Sequence, residues 1–197
     1  MKRTTVGILV ALLTLFAASL VLIGPAIAQD STQRLYKIYS NLGPNGNGAC
    51  YDPHDGWNVG LGQSIAMPFT PKAGAKLSEI VLGLLFDGAG GDFVIVSLNE
   101  DDNGLPGKTI HAWVLGKLGM NRWHSCYVTI ARSKKQLPLK GGIQYWVAAT
   151  APFSTADIWK YTYNDSEGDF AYEGNNGGWN PYDSYLSAFG VFGTKAN

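Results

Sequence analysis

Charge is scarce in this chain. Only 15% of its 197 residues are charged, and 15 basic side chains are balanced by 15 acidic ones. That balance excludes a protein that grips nucleic acid by bulk neutralisation of phosphates. Histidine is limited to His54, His111 and His124, and no two of them stand two residues apart, the spacing that places a pair of ligands on one strand face. Cysteine is limited to Cys50 and Cys126, too few for a zinc cluster and without a C-x-x-C redox pair. Gly-x-Ser-x-Gly and the P-loop are absent. Gly60-Leu61-Gly62 lacks the third glycine of a dinucleotide fingerprint, because Ile65 occupies that position. Capped helix-periodic stretches are missing too; the only candidate is a basic turn at residues 133–137, with Lys134 and Lys135, ahead of Pro138. No internal repeat recurs at a fixed period. With 46% hydrophobic and 12% aromatic residues, the chain is not a disordered one either.

What is present begins with an address. Lys2 and Arg3 precede an uncharged apolar run at residues 6–23, and Ala26-Ile27-Ala28 follows with small residues at signal-peptidase spacing. Residues 1–28 therefore read as a secretory signal peptide cleaved after Ala28. The run is also long enough to be an uncleaved membrane anchor, although Gly24 and Pro25 ahead of the small residues favour cleavage. No second long apolar stretch follows, so no membrane span is expected after cleavage. Export would place the protein outside the cell or in the periplasm, where a Cys50–Cys126 disulfide would survive. Such a bridge would stabilise the fold by roughly 4.5 kcal/mol in the chain-entropy model; two buried free thiols are the alternative.

The exported part reads as strand after strand. Residues 29–42 form a lead-in strand, and residues 64–67 a short one stopped by Pro68. Residues 77–86 are a nearly continuous apolar run, suited to a strand covered on both faces. Residues 93–98 are β-branched and aromatic, and residues 108–115 supply a hairpin partner. Residues 123–130, 143–150, 157–163 and 185–192 complete about nine strands between turn-rich loops. The expected fold is all-β: a two-sheet antiparallel β-sandwich, jelly-roll-like, forming a single domain over residues 30–194.

Candidate sites are few. Asn99, Asp101 and Asn103 lie in an oxygen-rich loop that begins like a calcium-binding loop; a structural calcium is the one cofactor the sequence suggests. Ile110 stands where that loop would need its final glutamate, and a solvated hairpin turn explains the same residues. Asp165, Glu167 and Asp169 would be the carboxylates of a glycoside hydrolase, or simply a solvated loop. Asn164-Asp165-Ser166 is a glycosylation sequon, meaningful only in a eukaryotic secretory pathway. Aromatic residues are the stronger signal. Trp159, Tyr161 and Tyr163 alternate on one strand face, either filling the core or standing at the surface. Trp57 and Trp179 lie in Gly/Asn-rich segments, with Tyr182 close to Trp179. Flat rings such as Trp57, Trp179 and Tyr182 would stack on sugars.

Four motifs in order carry a family resemblance: Gly56-Trp57-Asn58-Val59 ahead of Ala66-Met67-Pro68-Phe69-Thr70-Pro71; Asn103-Gly104-Leu105-Pro106-Gly107-Lys108; Gly141-Gly142-Ile143-Gln144-Tyr145-Trp146-Val147; and Trp179 with Ala188-Phe189-Gly190-Val191. The chain in this region resembles the choice-of-anchor R type domain of secreted bacterial surface proteins. The resemblance implies an exported β-sandwich of no established enzymatic activity, with no catalytic residues to carry over. Members often end in a sorting signal, whereas this sequence ends at Asn197 without an apolar tail, so secretion or periplasmic residence is expected over surface anchoring. The expected function is non-catalytic binding of a polysaccharide or other cell-envelope component. The alternatives are a structural or adhesive envelope protein that contacts other proteins, and a hydrolase.

Overall fold

The computed structural model describes residues 35–43, 55–120, 127–152 and 154–196. The proposed address at 1–28, Cys50, Cys126, His54 and His124 lie outside the described residues. The chain divides after Gln33, and Arg34–Asn197 forms one compact unit. No helix among the described residues is long and apolar enough to cross a membrane.

The described chain is all-β. Its strands are β1 (Tyr36–Ser40), β2 (Gly56–Gly60), β3 (Ser64–Phe69), β4 (Ala75–Leu82), β5 (Leu84–Ala89), β6 (Phe93–Asp102) and β7 (Leu105–Gly116), followed by β8 (Thr129–Leu139), β9 (Tyr145–Thr150), β10 (Ala156–Lys160), β11 (Glu167–Glu173), β12 (Asn180–Tyr185) and β13 (Phe189–Lys195). They form three hydrogen-bonded sheets, ordered β1-β13-β4-β8, β2-β10-β5 and β12-β11-β3-β9-β6-β7, and the ladders between named strands are antiparallel. The first two sheets join at Gly83, between β4 and β5. Its N–H donates to Ala188 O at 2.9 Å and its carbonyl accepts from Lys160 N at 2.9 Å.

Alternation decides which faces turn inward. In β6, Val94, Val96 and Leu98 are buried while Phe93 and Ile95, which alternate with them, are exposed. Burying a side chain of this size contributes roughly 2 kcal/mol against about 1 kcal/mol net for a hydrogen bond, so the apolar pattern fixes the register. One core is drawn from all three sheets, with Leu77, Ile80 and Val191 from the first, Val59, Leu84 and Trp159 from the second, and Ile65, Met67, Val96 and Val147 from the third. The architecture is a β-sandwich. The apolar run at 77–86, expected as one strand, is broken at Gly83 into β4 and β5, which belong to different sheets; its central part is covered on both sides. Leu82 and Leu84 face the main core, and Leu85 packs oppositely against Ile158 and Ala188.

Three further expectations from the sequence need correction. The basic turn at 133–137 is not helical but belongs to β8. Leu137 pairs with Leu77 and Arg132 with Glu79, so Ser133, Lys134, Lys135 and Gln136 are extruded opposite Ser78, and both lysines reach solvent. Strand β3 is not stopped by Pro68, because its ladder to β11 ends at Ala66 and Pro68 sits where β3 has only β9 as a partner. Strands also form where the sequence suggested loops, at β2, β11 and β12.

Candidate functional site

Two sheet edges meet in a group of rings. Strand β2 is an edge of the three-stranded sheet and β12 an edge of the six-stranded one. Trp57 on β2 faces Tyr182 of β12 at 5.8 Å between centroids, edge to face. It also packs on Phe170 of β11 at 5.1 Å and on Tyr161 at 5.5 Å. Tyr161 in turn lies 5.2 Å from Tyr185. The Trp57 indole N–H donates to Tyr185 O at 2.8 Å, which pins the two edges together. Phe170 is buried, whereas Tyr182 is 51% and Tyr185 40% exposed. The cluster thus closes the side of the core with its inner rings and offers its outer rings to solvent. Burial first, then the nearby Asp55, Tyr185 and Tyr182, pushes the Tyr161 hydroxyl above its ordinary value. Asp55, exposed beside it, accepts a backbone hydrogen bond from Tyr161 N at 3.2 Å.

The alternating aromatics at 159, 161 and 163 divide three ways, because β10 ends at Lys160, short of the expected strand over 157–163. Trp159 is wholly buried and donates through Nε1 to Ala188 O at 3.0 Å, Tyr161 joins the rim, and Tyr163 stands exposed. The three ring candidates from the sequence divide as well. Trp57 and Tyr182 come together. Trp179 lies on the opposite face of the six-stranded sheet, half-buried against Trp146, Ala66, Ala148 and Ala171.

The oxygen-rich loop is a two-residue hairpin connection. Asp102 pairs with Leu105, and Asn103 and Gly104 both have positive φ, 55° and 83°, the geometry of a type I′ turn. The three proposed ligands are engaged separately. Asn99 is buried, accepts from Thr109 Oγ1 at 2.7 Å and donates to Ser97 Oγ at 3.0 Å. Asn103 donates to Asp102 at 2.8 Å. Asp101 accepts from Trp146 Nε1 at 2.7 Å, from Gln144 Nε2 at 2.8 Å and from Gly104 N at 3.2 Å. Desolvation raises the Asp101 carboxyl, but the hydrogen bonds from Trp146, Gly104 and Gln144 outweigh it and hold the group below its ordinary value. Asp101 thereby ties the hairpin tip to β9.

Asp165, Glu167 and Asp169 are all exposed. Glu167 and Asp169 share one face of β11, with Asp169 opposite Asp183 of β12; they stand side by side on the sheet instead of on two walls of a cleft. His111, the one described histidine, packs edge-on against Trp113 at 4.7 Å. No group of three or more His, Cys, Asp or Glu side chains among the described residues stands ready to hold a metal.

Sequence reasoning singled out Tyr161 and Tyr185 as aromatics without assigning them to one site with Trp57, and it missed Asp55. It also passed over Asp157, the one acidic residue of β10, a strand that also holds the buried Lys160. No family model and no curated protein matches the chain.

Proposed function

We propose that this protein is an exported, non-catalytic β-sandwich module that binds a glycan across the rings at its paired sheet edges. The observation carrying this reading is that Tyr182 and Tyr185 lie half in solvent on a base formed by the buried Phe170 and the half-buried Trp57 and Tyr161, with the exposed Asp55 beside them. Such rings are rigid and cost little side-chain entropy on binding. Their faces stack on the C–H faces of sugars, while the phenols and a carboxylate hydrogen-bond hydroxyls. The resemblance to choice-of-anchor R type domains supports the exported, non-catalytic part of this reading, and the N-terminal address supports export.

The test is retention on a panel of immobilised polysaccharides. Tyr182→Ala should weaken retention about tenfold, near 1.4 kcal/mol, the scale of one ring's stacking. Its melting temperature should move by less than about 2 °C, because an exposed ring carries little of the fold. Trp57→Ala should lower both. Lack of retention across the panel would overturn the glycan reading.

A second reading, a structural or adhesive envelope module, draws on a different place. Ile95 and Val114 are paired neighbours on β6 and β7, and both are exposed, Val114 at 73%. Strand β7 is the outer edge of the six-stranded sheet and could add a strand from another chain. Dimers in solution together with no glycan retention would favour it.

A further inference from the structure

A second place in the molecule carries unbalanced chemistry. Asp157 is the second residue of β10, the central strand of its sheet, paired with Val59 on one side and Phe86 on the other. It shares a strand face with Trp159, so its carboxylate points between the layers. It is fully buried, and neither carboxylate oxygen has a hydrogen-bond partner. Two residues earlier, Thr155 is fully buried too, and its Oγ1 also lacks a partner. Three unsatisfied oxygens in one interior corner are unusual, since buried polar groups are ordinarily paired and buried charges are matched or coordinate a metal.

The surrounding backbone is organised around this corner. The β10–β5 register jumps from Asp157 opposite Phe86 to Ala156 opposite Ala89. Asp87 and Gly88 are therefore pushed out of the ladder at the level of Asp157. Asp92 follows just before β6, and both turn carboxylates are exposed. Glycines let neighbouring turns press in closely. A Cβ on Gly90 would stand 1.8 Å from Ser154 O, and one on Gly60 2.0 Å from Thr155 O. The 154–155 backbone is thus clasped between the turns at Gly60 and Gly90. Desolvation first, then the charges of Asp92 and Asp87, pushes the Asp157 carboxyl up to about 7, so both turn carboxylates lie within electrostatic reach of Asp157.

We propose that Asp157 and Thr155, with Asp92 and Asp87 of the glycine-rich β5–β6 turn, form a binding site for a hard divalent cation of the calcium type. The donors are all oxygen, which selects calcium over zinc or copper. Asp157 and Thr155 supply the buried, preformed half. As the structure stands, these carboxylates are not gathered into a ready metal group, so the ion would have to draw in the Asp87–Asp92 turn, whose Gly88, Gly90 and Gly91 tolerate backbone conformations closed to other residues. An ion there would pair the buried charge and quench the repulsion that Asp92 and Asp87 exert on Asp157. This inference is independent of the glycan reading and of the Asn99–Asp101–Asn103 loop.

The experiment is a calcium titration of the full chain after chelator treatment, followed by thermal unfolding, with magnesium as the comparison ion. Calcium at about 1 mM should raise the melting temperature by about 4 °C. Asp157→Asn, isosteric and neutral, should abolish that rise. The exposed Asp92→Asn should fold normally and move the calcium midpoint about tenfold higher; it decides the matter if the Asp157 variant does not fold. An unchanged melting temperature with either ion, a response retained by Asp157→Asn, or an unshifted midpoint in Asp92→Asn would overturn the proposal. So would a response lost in Asp101→Asn and kept in Asp157→Asn, which would locate the ion at the β6–β7 turn.

Discussion

At the scale of the residue, Asp157 has a consequence for stability with a definite sign. Its carboxyl is raised from 3.8 to about 7, by burial and by the facing charges of Asp92 and Asp87. Between those values the folded chain holds a proton that the unfolded chain has released. Stability without divalent cations should therefore fall as pH rises through this window and level off above it. Urea unfolding in chelator at about pH 5 and about pH 8 should show the loss, and Asp157→Asn should flatten it. A second residue-scale expectation concerns glycine. At Gly104 a Cβ meets nothing within 4 Å, and φ is +83°. Gly104→Ala should thus cost only the left-handed backbone strain, about 1 kcal/mol. At Gly193 the Cβ would lie 1.9 Å from Lys76 O, so Gly193→Ala should cost several times more. Denaturation midpoints of the two variants check the contrast.

At the scale of the element, the legible strands were those whose side chains alternate or run apolar for their own reasons. Val94, Val96 and Leu98 announce β6, and the run through Leu82, Leu84 and Leu85 announces coverage on both faces but not the passage from β4 to β5 at Gly83. Strand β2 was illegible because its glycine belongs to packing, not to a turn. A Cβ on Gly56 would sit 2.6 Å from Trp159 O, so the close approach of β10 demands the residue that local propensity reads as a loop. Strand β12, with Asn180, Pro181, Asp183 and Ser184, has turn composition because it is an edge, where proline and charge are tolerated. The candidate site was half legible for the same reason. Trp57 and Tyr182 each stood out as rings in polar segments, but they meet only because two sheet edges converge, and no local spacing encodes that. Asp101 was noticed for its oxygens, yet its partners Trp146 and Gln144 lie 45 and 43 residues away, beyond what a loop motif can reveal.

At the scale of the whole molecule, the sandwich protects its two sides differently. One side is shut by rings, with Trp57 bonded across to Tyr185. The other ends in the long edge of β7 with Val114 exposed. The junction at Gly83 adds a constraint that neither side shows. Gly83 N bonds to Ala188 O, Lys160 N to Gly83 O, and Ala188 N to Lys160 O, so a closed triangle of peptide groups stitches two sheets into one fabric. Amide protons at these three positions cannot reach water unless both sheets part at once. In deuterated solvent they should be among the slowest to exchange, at the rate set by complete unfolding, and fast exchange there would mean that the two sheets open separately. The stitch also means that cutting the chain between β4 and β5 would not yield two smaller folded pieces, because each would lose the thread that the other holds.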